Sequence, residues 1–124
     1  MNKIISAKNL VKKFSNNGVT QTIIDNLDLE IYENDFTIIM GSSGAGKSTL
    51  MYSLSGMDMP TSGNIEFCGE DITKMSADKL AVFRRKNCGF VFQQIYMLDK
   101  MSLLDNTLTA GLLVNNNKNS IIAI

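Results

Sequence analysis

The sequence predicts an α/β fold: a partial parallel sheet with flanking helices, joined to an N-terminal antiparallel β subdomain. Three observations carry this expectation. The apolar stretch Phe36-Thr37-Ile38-Ile39-Met40 runs straight into a glycine-rich segment, Gly41 to Thr49. Apolar residues at helical spacing then follow, with Leu50, Met51, Leu54 and Met57 on one side. Upstream, Ile24, Leu27, Leu29 and Ile31 are separated by Asp25, Asn26, Asp28 and Glu30, the pattern of a strand with one wet face.

Each element follows in chain order. Ile4 to Phe14 reads as a strand closed by a turn at Ser15-Asn16-Asn17-Gly18, and Thr22 to Tyr32 as its antiparallel partner. Glu33-Asn34-Asp35 turns the chain into Phe36–Met40, whose apolar run suits a strand buried on both faces. Lys47 to Met57 reads as a helix, Pro60 to Gly63 as a turn, and Asn64 to Cys68 as a short strand ending at Gly69. Ser76 to Lys86 reads as a helix, because Ser76 and Asp78 suit its start and Arg84-Arg85-Lys86 its negative end. Cys88 to Phe92 is expected as a further strand and Asp105 to Val114 as a last helix.

Composition narrows the function. The chain has 124 residues, 12 Lys+Arg against 12 Asp+Glu, no His and no Trp. A balanced charge gives no electrostatic footprint for nucleic acid, and the missing His removes His-based dyads and most zinc sites. Cys68 and Cys88 are too few for a disulfide framework and are expected as small buried hydrophobes. Met51, Met57 and Met59 are expected to fill core, and Arg84-Arg85-Lys86 to form a solvated helix end. No targeting segment is visible, and no apolar run approaches the ~20 residues of a membrane-spanning helix.

The chemistry sits in Gly41-Ser42-Ser43-Gly44-Ala45-Gly46-Lys47-Ser48-Thr49, which fits G-x-x-x-x-G-K-[ST] at Gly41, Gly46, Lys47 and Ser48. Glycines at 41, 44 and 46 permit backbone angles and close approach that a Cβ would forbid. The amides from Ser43 to Thr49 can then converge on phosphate oxygens at a helix N-terminus. Lys47 would place a point charge on the β- and γ-phosphates, and Ser48 would offer its hydroxyl to Mg²⁺.

With this loop on the page, the sequence resembles the N-terminal half of an ABC-transporter ATPase, from Ile4 to about Leu113. The resemblance also rests on Leu10-Val11-Lys12-Lys13-Phe14, on the Asn34-Asp35 turn, on 60–72 (PTSGNIEFCGEDI) and on 83–94 (FRRKNCGFVFQQ). In style it is similar to the subfamily that serves lipoprotein release and macrolide or antimicrobial-peptide export. It implies a P-loop NTPase core, ATP and Mg²⁺ as ligands, a membrane permease as partner and a second nucleotide-binding subunit. It further implies a cytoplasmic location on the inner face of the cell membrane, held there by the permease.

Carried over residue by residue, Phe14 matches the aromatic that stacks on adenine; a plain hairpin or core role is the other reading. Gln93 matches the Q-loop glutamine that positions Mg²⁺ and the attacking water, with Gln94 as a one-residue alternative. Ile95-Tyr96-Met97-Leu98 match the loop that touches the permease, or else pack as ordinary core. The resemblance leaves out the signature, the catalytic-acid strand and the switch histidine. ATP binding without turnover by this chain alone is therefore expected.

Residues 1–114 are expected to form the N-terminal part of the nucleotide-binding domain. Residues 115–124, a polar Asn-rich tract followed by Ser120-Ile121-Ile122-Ala123-Ile124, read as an atypical tail. A truncated or frame-shifted product is the expectation there, with a naturally short protein as the alternative. Two other functions stay open: a small P-loop kinase or GTPase, and a non-enzymatic nucleotide-binding or interaction module.

Overall fold

The structure is a computed structural model that describes residues 2–122, with side chains through Ser120. The chain packs as two compact units divided between Leu80 and Ala81. The N-terminal unit is organised on strands β1 (Lys3–Asn16), β2 (Val19–Tyr32), β3 (Ser62–Phe67) and β4 (Glu70–Asp71), in the spatial order β2-β1-β3-β4. Every pairing is antiparallel.

The hairpin between β1 and β2 is closed by Asn17 and Gly18, both at positive φ (50 and 79). An Asn-Gly pair in this geometry matches the right-handed twist of the strands it joins. Both strands then slip phase at the same level. In β1 the buried positions step from Ala7 to Leu10 and Lys12, and in β2 the inward positions step from buried Ile24 to half-buried Leu27, gaps that a strict alternation would not produce. Asn9 (φ 49) and Asn26 (φ 51) sit in those gaps in the left-handed region, which asparagine tolerates better than most residues. The pairing register shifts there too, between Ala7 and Leu10 and between Leu10 and Lys12. The Asn9 amide donates to Asp28 Oδ1 at 2.7 Å, which satisfies a donor that the bulge takes out of the ladder.

The core of this unit gathers Ala7, Leu10, Ile24, Leu54, Ile65, Phe67, Ile72 and Leu80. Gly63 makes the sheet possible where β3 approaches the bulge: a Cβ there would lie 2.4 Å from the Asn9 carbonyl oxygen, and its φ is +88. Only glycine fits. Helix α1 (Lys47–Leu54) contributes Leu54 and Ser53 to the buried set. A 3₁₀ turn (Ile72–Lys74) follows β4, its amide at Thr73 capped by Asp71 at 3.0 Å.

Helix α2 (Ala77–Asn87) starts on Ser76, whose carbonyl accepts from Leu80 N, and ends in Arg84-Arg85-Lys86, as expected from charge placement. In the C-terminal unit, α3 (Leu103–Gly111) is capped by Ser102, which accepts from Asp105 N at 3.0 Å. Asn106 ties the preceding loop to α3. Its side chain donates to the carbonyls of Leu98, Met101 and Ser102 and accepts from Leu98 N at 2.8 Å. A short helix α4 (Lys118–Ile122) closes the described chain; Ala123 and Ile124 of the expected tail lie outside the described residues.

Several expectations need correction. Phe36–Met40 and Cys88–Phe92 are not strands, and among the described residues no parallel pair forms. A parallel strand must find a hydrogen-bonded neighbour remote in sequence, and none reaches either segment. Phe36 accordingly stands 92% exposed and Val91 94%. Helix α1 stops at Leu54, and α3 begins at Leu103 because Ser102 caps it. Met51, Met57 and Met59 are exposed and fill no core. Cys68 is exposed in a tight turn at φ 51, and Cys88 is half-buried.

Candidate functional site

The loop from Gly41 to Gly46 enters α1 through an unusual cap. Gly46 has φ 94 and ψ 15, and no side chain satisfies the first amides of the helix. A Cβ at Gly46 would lie 2.6 Å from Ile23 Cγ2, so loop and β2 meet as closely as two segments can. The uncapped amides point a positive dipole end at the loop's concave side. Ala45 N donates back to the Ser42 carbonyl at 3.1 Å, and Leu50 N to Gly46 at 2.9 Å, which fixes the curl.

Lys47 folds over this curl. Its Nζ donates to the carbonyls of Gly41 and Ser42, both at 2.7 Å. Neutral carbonyls are weaker partners for an ammonium than ionised oxygens. An arriving phosphate oxygen can therefore take the ammonium with little change in the loop.

A cavity of about 310 Å³ opens beside the curl, lined by Phe14, Ile23, Gly44, Gly46, Lys47, Ser48 and Thr49. A second, of about 270 Å³, has Ile39, Met40, Ala45 and Leu50 among its walls and shares Ile23, Gly46 and Lys47 with the first. The structure thus brings Phe14 of β1 together with five positions of the loop and helix start. Gly41 and Ser42 act through their carbonyls on Lys47, Ala45 walls the second cavity, and Ser43 is exposed. Gln93 and Gln94 lie in an exposed bend of the C-terminal unit, beside Ile95, Tyr96, Met97 and Leu98, all exposed. The aromatic rings of Phe90, Phe92 and Tyr96 touch in series there, the first pair tilted with centroids 4.7 Å apart and the second edge-to-face at 5.1 Å.

Sequence reasoning passed over Ile23, which walls both cavities, since nothing in an alternating strand marks one isoleucine from another. It also passed over Lys12, although its position two residues before Phe14 was a usable signal. The residues fit a nucleotide–Mg²⁺ ligand on two structural grounds: the helix start leaves its amides uncapped, and Ser48, a hydroxyl-bearing residue, lines the same cavity as Lys47. Among the described residues no cluster of three or more His, Cys, Asp or Glu forms a separate metal site. The shifted titrations lie in other parts of the unit. Glu30 is held below the usual carboxylate range by hydrogen bonds from Lys3 and Tyr32, and Asp71 by the Thr73 hydroxyl.

A β subdomain leading into a glycine-capped loop and helix defines a P-loop NTPase. A family profile described as ABC transporter matches residues 24–123, and the chain belongs to that family. It is similar to the lipoprotein-releasing system ATP-binding protein LolD of Wigglesworthia glossinidia brevipalpis, 39% identical over 112 residues. That match covers 90% of this chain and 49% of the relative. It is also 33% identical to the macrolide export ATP-binding/permease protein MacB of Escherichia coli over 97% of this chain and 19% of the relative. Among solved structures, the ATP-binding cassette MJ0796 bound to ADP and Pi superposes with a TM-score of 0.89, at 26% identity, over 96% of this chain and 54% of the other. The chain spans about half the length, or less, of these relatives. Among the described residues no helix is long and apolar enough to cross a membrane.

Proposed function

We propose that this chain carries the nucleotide-binding face of an ABC transporter's ATP-binding subunit, with Phe14 as the base platform and Gly41–Thr49 as the triphosphate cradle. The observation that supports the reading best is the single cavity shared by Phe14, Gly44, Gly46, Lys47, Ser48 and Thr49. A ring on one wall and an uncapped helix start on the other suit a ligand with a flat apolar end and an anionic end. The co-structure of MJ0796 with ADP and Pi supports the same ligand class. Ser48 would hold Mg²⁺ through its hydroxyl, and the metal would supply charge neutralisation between phosphates.

Binding and turnover separate in this proposal. Lys47 moves from two carbonyls to phosphate oxygens, and the amides of Gly44 to Thr49 fix the phosphate chain. Gln93 would orient water and metal, but an amide cannot accept the proton that hydrolysis releases. No His occurs in the sequence to assist. Among the described residues no Asp or Glu lines the cavity with Phe14 and Ser48 to act as the base either. In this proposal the chain alone therefore binds ATP without releasing phosphate, and a permease and a second nucleotide-binding subunit complete the working assembly. The names of LolD and MacB point to lipoprotein release or macrolide export as the process served. The exposed Ile95-Tyr96-Met97-Leu98 segment would meet the permease, placing the chain on the cytoplasmic face of the membrane.

An equilibrium titration with Mg-ATP tests the binding claim, with Lys47→Ala as the comparison. Saturable binding that falls at least tenfold in Lys47→Ala is expected. Equal, weak binding by both proteins would refute the cradle.

A further inference from the structure

We propose that Lys12 is a positioning residue for the nucleotide base, acting through the ring of Phe14. This rests on the reading of Phe14 as the base platform. Lys12 is only 9% exposed, which is rare for a lysine and requires that its charge be compensated. Its ammonium donates to Asp58 Oδ1 at 3.0 Å and to the Met59 carbonyl at 2.6 Å, and lies 5.0 Å from the centroid of the Phe14 ring. Three groups from two segments, 12–14 and 58–59, thus converge on one nitrogen.

The arrangement does mechanical work on the ring. Phe14 lies near the turn end of the hairpin, opposite Gln21, and is 45% exposed, so packing alone does not hold its rotamer. A cation held over the ring attracts its quadrupole and fixes the plane of a side chain that lines the cavity. The cation itself cannot wander, because Asp58 and Met59 anchor it to the segment after α1. A preset platform loses less side-chain freedom when a base stacks on it, and that saving appears as affinity.

The test uses the full chain and two probes, Mg-ATP and inorganic tripolyphosphate, titrated by calorimetry. Lys12→Met keeps the apolar stem and removes the charge. It should weaken ATP binding about three- to tenfold, the range a cation–π contact of this burial supports. Tripolyphosphate has no base, so its affinity should change less than about twofold. In a Phe14→Ala background, Lys12→Met should have no further effect on ATP, and Lys12→Arg should restore most of the affinity. If Lys12→Met does not fold, Asp58→Asn loosens the same ammonium and should give the same ATP-only pattern at smaller size. An equal loss for both probes would overturn the proposal in favour of long-range charge attraction, as would no loss, or an undiminished loss in Phe14→Ala. Failure of the cradle reads differently: Lys47→Ala would then leave tripolyphosphate binding unchanged.

Discussion

Residues 36–40 are the more apolar, four of five side chains against 13 of 30 in residues 3–32, yet residues 3–32 are a finished hairpin and 36–40 an open strip of chain. The difference lies in where each finds its partners. β1 and β2 are neighbours in sequence, joined by Asn17-Gly18, and each supplies the other with a full-length ladder before β3 adds to the far edge of β1. Phe36–Met40 needs neighbours that run parallel to it, and parallel neighbours come only through long crossovers. Its Phe36, Ile38 and Met40 consequently face solvent, as do Val91 and Ile95 in the C-terminal unit. Antiparallel elements close on themselves, whereas parallel ones depend on the rest of a sheet. The candidate site spans this contrast. Phe14 stands on the finished sheet, and Gly41–Thr49 hang from the open strip and are held instead by Ile23 and the start of α1.

The comparison predicts a large asymmetry between the two regions. Ile65→Ala, at a fully buried position of β3, should cost about 2–5 kcal/mol. Ile38→Ser should stay within about 0.5 kcal/mol while raising solubility, since an exposed apolar strip invites association. Chemical denaturation with a turbidity assay checks both; a comparable loss for Ile38→Ser would mean that the strip is packed after all.

Gly63→Ala sharpens the same point, because the backbone of Asn9 leaves no room for a methyl group and the φ is left-handed. A loss of roughly 2–3 kcal/mol is expected, read as a lowered thermal midpoint. In the C-terminal unit, Asn106→Ala should release the 98–102 loop and cost about 1–2 kcal/mol, visible as faster amide exchange at Leu98.

Acid acts least. The carboxyls of Glu30 and Asp71 titrate below their ordinary range, so their contribution is present above that range and fades as pH falls through the lowered values. Both groups are solvent-accessible and the effect is small. Asp71→Asn should flatten the acid limb of a pH-unfolding curve, and an unchanged limb would remove Asp71 from the account.

The sequence made some of this legible and hid the rest for physical reasons. The hairpin, its Asn-Gly turn, α2 with its basic end and the glycine loop were all readable, because local periodicity and caps encode them. The ends of α1 and α3 were missed, although Ser102 with Asp105 three residues later is a local start signal that the sequence does carry. The two parallel strands were read from apolar runs, a signal that reports a need for burial and says nothing about whether a neighbour is present. Phe14 and the loop were separately legible; their shared cavity was not, since it depends on how β1 and α1 pack. The clamp on Lys12 depends on a contact across 46 residues of sequence, which no local pattern records.

Amide hydrogen exchange with and without Mg-ATP tests the central claim most directly. The account predicts that Gly44 to Thr49 gain protection on adding nucleotide, while β1 and β2 are already protected and Phe36 to Met40 exchange freely in its absence. Unchanged exchange across Gly44 to Thr49 at saturating Mg-ATP would contradict it.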